Sequence, residues 1–210
     1  MIKNLKFKIK NSSQGFTLVE VLVAMGIFVI AVILIFSIYL TSQKFYQKTE
    51  TSAEILQNSR VILERIAREL RQTQDIITVL PQVPDNPSLP PTDEIEFQDG
   101  HSPSPYVALD SDYYYIRYYV SEDTGEVNRQ YKVYCFEDCS VCSIYFKWND
   151  TQMIEGVLTT AHSCLLEDRV IGEFVQEMNF WGAGVINISF KLQKLNQQMD
   201  FQTSVFGRNF

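Results

Sequence analysis

Four cysteines are the residues of this 210-residue chain whose types and spacing are best suited to chemistry. They comprise the run Cys135-x3-Cys139-x2-Cys142 and a later Cys164. Thiolates at such spacings can hold a tetrahedral zinc ion, with His162 in place of one thiolate, although no second Cys-x2-Cys is present. In an oxidising compartment the same cysteines form disulfides. We expect two disulfides with all three pairings open, and a metal site on Cys135, Cys139, Cys142 and Cys164 or His162 is the alternative.

Catalytic chemistry is not indicated elsewhere in the sequence. The two histidines, His101 and His162, have no nucleophile or carboxylate at a convincing spacing, and the sequence has no glycine-rich phosphate loop. The sequence therefore predicts a protein that is not an enzyme and that uses no cofactor.

A carboxylate inside an apolar segment is the second chemical feature. From Phe16 to Leu40 the chain is apolar or small apart from Glu20. At about 1.5 Å per residue this run is long enough to cross a bilayer as a helix. A carboxylate there costs at least about 2.5 kcal/mol and needs a partner. Cleavage between Gly15 and Phe16 would supply one, because Phe16 would gain an ammonium group one helical turn before Glu20.

The charges before Gly15 predict the orientation in the membrane. Four lysines and no acid stand there: Lys3, Lys6, Lys8 and Lys10. The positive-inside rule then places residues 1–15 in the cytoplasm and the chain after Leu40 outside it, as in a single-pass inner-membrane protein. Loss of these four lysines would change the net charge from −7 to −11. Because such an acidic chain repels phosphate backbones, nucleic acid is not expected as a partner.

The residues around this junction resemble a known processing signal. A lysine-rich leader followed by Gly15-Phe16-Thr17-Leu18-Val19-Glu20-Val21-Leu22-Val23-Ala24 is similar to the prepilin cleavage and methylation motif of type IV pilins and pseudopilins. The resemblance implies that a prepilin peptidase cuts after Gly15 and methylates Phe16, and that Glu20 pairs with the amine of a neighbouring subunit. It also implies that the other partners are further pilin or pseudopilin subunits, an inner-membrane assembly platform, and the lipid bilayer before assembly into an extracytoplasmic filament.

The rest of the chain predicts an α+β fold. Residues 41–75 continue the helix as an amphipathic stretch, and no proline before Pro81 interrupts it. Its apolar face consists of Ile55, Leu56, Ser59, Ile62, Leu63, Ile66, Ala67 and Leu70. The opposite face is predicted to be solvated, with helical ion pairs such as Glu64–Arg68 and Arg65–Glu69.

Loop and strand signals follow the helix. Residues 76–112 contain all seven prolines and form a predicted loop with a short strand at 94–97. Residues 113–210 form a predicted β-rich head, with strands at 113–120, 127–136, 143–148, 174–180, 185–192 and 199–206. In the pilin-like lollipop that the resemblance implies, residues 16–40 are the transmembrane and filament-core helix, and residues 41–75 pack on the antiparallel sheet of the head.

A run of tyrosines marks the first strand of the predicted head. Tyr113, Tyr115 and Tyr119 share one face of that strand. They suggest a carbohydrate-binding or partner-binding surface, but tyrosine also suits half-buried strands, and we favour the packing role.

A second resemblance concerns the kind of subunit. The helix 61–72, the large head and the C-terminal residues 204–209 resemble J-type minor pseudopilins and related minor pilins. This resemblance implies a minor subunit at the tip of a type IV pilus or type II secretion-like filament, where it helps to initiate assembly. The alternatives are a major or adhesive pilin that binds surfaces or DNA, and an uncleaved, signal-anchored binding protein.

Overall fold

The computed structural model describes residues 17–100 and 113–207. Within these ranges one helix is followed by nine strands. The helix α1 spans Leu18–Gln72, and the strands are β1 Glu94–Gln98, β2 Tyr115–Val120, β3 Val127–Cys135, β4 Thr151–Ile154, β5 Val157–Thr160, β6 His162–Gly172, β7 Val175–Trp181, β8 Val185–Lys194 and β9 Gln197–Phe206. The order of one long helix and then antiparallel strands confirms the predicted α+β class.

Helix α1 is unbroken, as the absence of proline before Pro81 predicted. A proline inside it would have removed a backbone hydrogen bond and clashed with the preceding turn. The helix ends at Gln72, directly before Thr73. Thr73 is fully buried, and its hydroxyl donates a hydrogen bond to the Gln98 carbonyl oxygen at 2.6 Å.

The chain divides into two compact units, one up to Lys48 and one from Thr49 onward. In the first unit every described residue of α1 is exposed, and the exposed side chains include large apolar ones on all sides of the helix. This part of α1 is long and apolar enough to cross a membrane. An apolar surface all around a helix is stable against lipid or other apolar helices rather than against water.

The second unit contains three antiparallel sheets. The largest has the order β1-β2-β3-β6, the next has the order β7-β8-β9, and β4 and β5 form a two-stranded sheet of their own. Both larger sheets supply apolar side chains to one core, which is completed by one face of α1.

That face of α1 is buried at helical spacing. Ile55, Ile62, Ile66 and Leu70 are completely buried, and each contributes about 1.5–3 kcal/mol by leaving water. Leu56 was predicted on the same face, but half of its surface is exposed. The reason is geometric, since adjacent helical residues point about 100° apart.

The region between β3 and β7 differs from the prediction. The strand predicted at 143–148 is wrong, because these residues form a loop in which Phe146 makes only an isolated bridge to Tyr134. Strands β4, β5 and β6 were not predicted. In β6 two irregularities shift the pairing with β3, so exposed residues follow one another instead of alternating.

Candidate processing and assembly site

The first turn of α1 holds Glu20 in a capping box. Thr17 directly precedes the helix, and Glu20 is the third helical residue. The Thr17 backbone N–H and the Thr17 hydroxyl each donate a hydrogen bond to Glu20 Oε2 at 3.0 Å. In return, the Glu20 N–H donates to Thr17 Oγ1 at 3.3 Å. This reciprocal pattern satisfies donors that the start of a helix otherwise leaves unpaired.

The cap determines where the carboxylate lies. Glu20 is held at the positive end of the helix dipole, which stabilises its negative charge. Both hydrogen bonds from Thr17 reach the same oxygen, Oε2. The other oxygen, Oε1, accepts no hydrogen bond from the residues that the structure describes. Glu20 is also exposed, which leaves its carboxylate accessible to a second cation. The predicted cleavage residues Gly15 and Phe16 lie outside the described residues.

Apolar residues surround Glu20 along the helix. Val21, Ala24, Met25 and Phe28 border it on one side of α1. Positions four residues apart share a helical face, so Glu20, Ala24 and Phe28 form one line. A neighbouring apolar helix packed on this line would bring its own N-terminal cation close to Glu20 only in selected registers.

The comparison with known proteins adds one match. Residues 10–36 match the family model of the prokaryotic N-terminal methylation motif. No curated protein and no solved structure matches the chain. An apolar helix of membrane-spanning length together with this motif fits a membrane-anchored protein. More particularly, the motif supports a subunit of the type IV pilin-like class that is processed by a prepilin peptidase and assembles into filaments.

The four cysteines form two disulfides in the structure. Cys135 is bonded to Cys142 with a Cα–Cα distance of 6.2 Å, and Cys139 is bonded to Cys164 with a distance of 5.4 Å. His162 lies close to Cys139 and Cys164, with possible ligand atoms within 4.8 Å of one another. Because those two sulfur atoms are bonded to each other, they are not thiolates and the predicted alternative of a zinc site does not fit this pairing.

A largely buried ion pair that the sequence did not indicate joins α1 to the largest sheet. Arg129 Nε on β3 lies 3.1 Å from Glu69 Oε2, and both side chains are about one-tenth exposed. Tyr118 on β2 donates its hydroxyl to the same carboxylate. Burial beside this carboxylate raises the pKa of Tyr118 well above its usual value. The pattern had predicted Glu69 on a solvated face with Arg65, whose Nε lies 3.7 Å from Glu69 Oε1.

Two of the three tyrosines considered as a binding surface, Tyr115 and Tyr119, lie in β2 and contact other side chains of the same unit. Tyr115 is almost completely buried, packs edge-on against Tyr134 at a ring distance of 5.0 Å, and accepts a hydrogen bond from the Trp148 backbone N–H. Burial raises the pKa of Tyr115 to about 12. Tyr119 lies 4.8 Å from the Arg117 guanidinium, within the range of a cation–π contact. These contacts favour the packing role.

Proposed function

We propose that the chain is a minor subunit of a type IV pilus or type II secretion-like filament, cut by a prepilin peptidase between Gly15 and Phe16. The methylation motif at residues 10–36 is the observation that carries the proposal. In this proposal the N-terminus lies in the cytoplasm, α1 is anchored in the inner membrane, and the unit from Thr49 onward lies outside the cytoplasm.

Glu20 would align neighbouring subunits during assembly. A carboxylate that enters an apolar helix bundle unpaired is strongly disfavoured, but an ammonium group at hydrogen-bond distance offsets that cost. Thr17 already stabilises one oxygen of Glu20 through two hydrogen bonds, so one further donor completes the site. Cleavage after Gly15 provides that donor as the amine of Phe16, and N-methylation retains its positive charge.

The exposed apolar side chains of α1 supply the driving force for this packing. Every described residue up to Lys48 is exposed, and among them are large side chains such as Leu22, Ile30 and Phe36. The bilayer covers these side chains before assembly, and the helices of other subunits cover them in the filament. A position at the tip, where the subunit helps to initiate assembly on the inner-membrane platform, is supported by the large C-terminal unit and its long loop.

Replacement of Glu20 tests this proposal. Glu20→Ala and Glu20→Gln should each reduce the number of filaments on the cells at least tenfold while the amount of the protein in the membrane stays unchanged. Glu50→Ala is the matched control, because Glu50 is an exposed glutamate of the same helix outside the apolar run. Filaments at normal number in both Glu20 variants would refute the assembly role.

Quantification of purified filaments separates the minor role from the alternatives. The copy number of a tip subunit should be a small fraction of that of the most abundant subunit. Deletion of its gene should prevent filament formation. If this chain were itself the most abundant subunit, it would be a major pilin, and the proposed tip position would be wrong.

A further inference from the structure

The hairpin formed by β4 and β5 continues the ladder between β3 and β6. That ladder ends with Cys135 opposite His162. Beyond it the Ala161 N–H donates a hydrogen bond to the Asp150 carbonyl oxygen at 3.1 Å, and Thr151 then pairs with Thr160. Residues 151–160, which we call the arm, therefore extend the long hairpin past the end of the largest sheet. Residues 136–149 leave the ladder as a side loop.

The base of the arm is fixed by covalent and polar contacts. The Cys139–Cys164 disulfide ties the side loop to β6 just beyond the arm. The Lys147 N–H donates to Asp150 Oδ2 at 2.9 Å. The Trp148 N–H donates to the buried Tyr115 hydroxyl at 3.1 Å. These contacts hold both ends of the arm on the core of the unit.

The outer half of the arm is apolar and uncovered. Met153 pairs with Leu158, and Ile154 pairs with Val157. Three of these side chains are 64% exposed and Ile154 is 38% exposed. Because adjacent pairs point to opposite faces of a hairpin, both faces are apolar. A two-stranded sheet is marginally stable in water, so burial of this apolar end under another surface would stabilise the arm.

The charges around the arm restrict what can cover it. Glu155 lies in the turn, with a backbone φ of 51°, and is exposed. The sequence contains no lysine or arginine between Lys147 and Arg169, whereas Asp150 and Glu155 lie at the two ends of β4. An acidic arm repels nucleic acid and anionic lipid surfaces. A second copy of this chain, whose net charge is −7, is disfavoured for the same reason.

We propose that the arm is a docking element that inserts into a groove on a different protein, with an apolar floor and a border of lysine or arginine side chains. Met153, Ile154, Val157 and Leu158 fill the floor, and Glu155 pairs with the basic border. Docking would remove these apolar side chains from water, which favours association. The inference does not depend on cleavage after Gly15 or on membership of a filament.

Site-specific photo-crosslinking in cells tests the arm. A photoreactive amino acid replaces Leu158 in the full-length chain, and the adducts are identified by mass spectrometry. Leu195 is the matched control site, because it is a 76% exposed leucine directly after another strand, β8. The expected result is an adduct between Leu158 and one other protein, in which the crosslinked segment is apolar and flanked by lysine or arginine. The control site should not yield this adduct.

Two variants check the chemistry of the contact. Met153→Ser and Glu155→Lys should each lower the yield of the Leu158 adduct at least tenfold, with both disulfides intact by non-reducing peptide mapping. Several results would overturn the proposal: no adduct at Leu158, an adduct with lipid or with a second copy of this chain, the same adduct from Leu195, or a yield that neither variant changes.

Discussion

Replacement of Glu69 by alanine is expected to destabilise the unit that begins at Thr49 by about 3–5 kcal/mol, the usual effect of breaking a buried ion pair. Glu69 and Arg129 are 11% and 12% exposed in their side chains, and their closest charged atoms are 3.1 Å apart. Alanine would leave the Arg129 guanidinium without its carboxylate and the Tyr118 hydroxyl without its acceptor. A buried polar group that loses its partner costs about 1–3 kcal/mol, more if charged, so the two losses account for the total.

The assay is thermal unfolding of the full chain in detergent, followed by circular dichroism. For a domain of this size a loss of 1 kcal/mol lowers the midpoint by about 2–4 °C, so Glu69→Ala should lower it by about 6–20 °C. Glu64→Ala is the matched control on the same helix. Glu64 pairs with Arg60 at 2.6 Å, but the two side chains are 66% and 79% exposed. Such an exposed pair contributes at most about 1 kcal/mol.

A double variant separates the charge effect from a loss of packing. Glu69→Leu combined with Arg129→Met removes both charges and leaves apolar volume in their place. It should recover at least half of the stability lost in Glu69→Ala, because no unpaired charge remains in the core. Equal midpoints for Glu69→Ala and Glu64→Ala, or a double variant less stable than Glu69→Ala, would refute this reasoning.

Three other outcomes are expected. Alkaline pH should destabilise the second unit. Burial raises the pKa of Tyr115 to about 12, above the unfolded value of about 10, so about 3 kcal/mol of stability that is present below pH 10 is lost as the pH rises to 12. Denaturant midpoints that stay constant from pH 8 to 12 would contradict this. Gly172→Ala should lower the free energy of unfolding, measured by chemical denaturation, by about 1–3 kcal/mol. The added Cβ would lie 2.3 Å from an Ile62 methyl group. Replacing both cysteines of a disulfide by serine should lower the free energy of unfolding by about 3 kcal/mol for Cys139–Cys164 and about 2 kcal/mol for Cys135–Cys142. The difference arises because the bonded residues are 25 and 7 positions apart. The reverse order would be inconsistent with loop closure.

The N-terminal features were predictable because they depend on local sequence. An apolar run without proline specifies a continuous helix, and Glu20 stands out as its only charge. Thr17 followed three residues later by Glu20 is also the sequence signature of a capping box. This local spacing was therefore a signal for the cap, which the predicted pairing of Glu20 with an amine did not include.

Features of the second unit depend on contacts between distant residues. Glu69 and Arg129 are 60 positions apart, whereas Glu69 and Arg65 have the spacing of a helical pair. The local pattern therefore predicted the pair with Arg65, which is present, but it missed Arg129 and placed Glu69 in solvent. The pairing of the cysteines depends in the same way on β6, whose bulged, exposed strand lacks the alternation from which strands are predicted.

The mature N-terminus is the most direct test of the central claim. Intact-mass and N-terminal peptide analysis of the protein isolated from membranes should show a chain that begins at Phe16 and carries a methyl group on its terminal amine. A Gly15→Asp variant expressed in the same cells, in which the residue before the cleaved bond is charged, should retain the leader. A native chain that begins at Met1 would contradict the claim that prepilin-type processing creates this subunit.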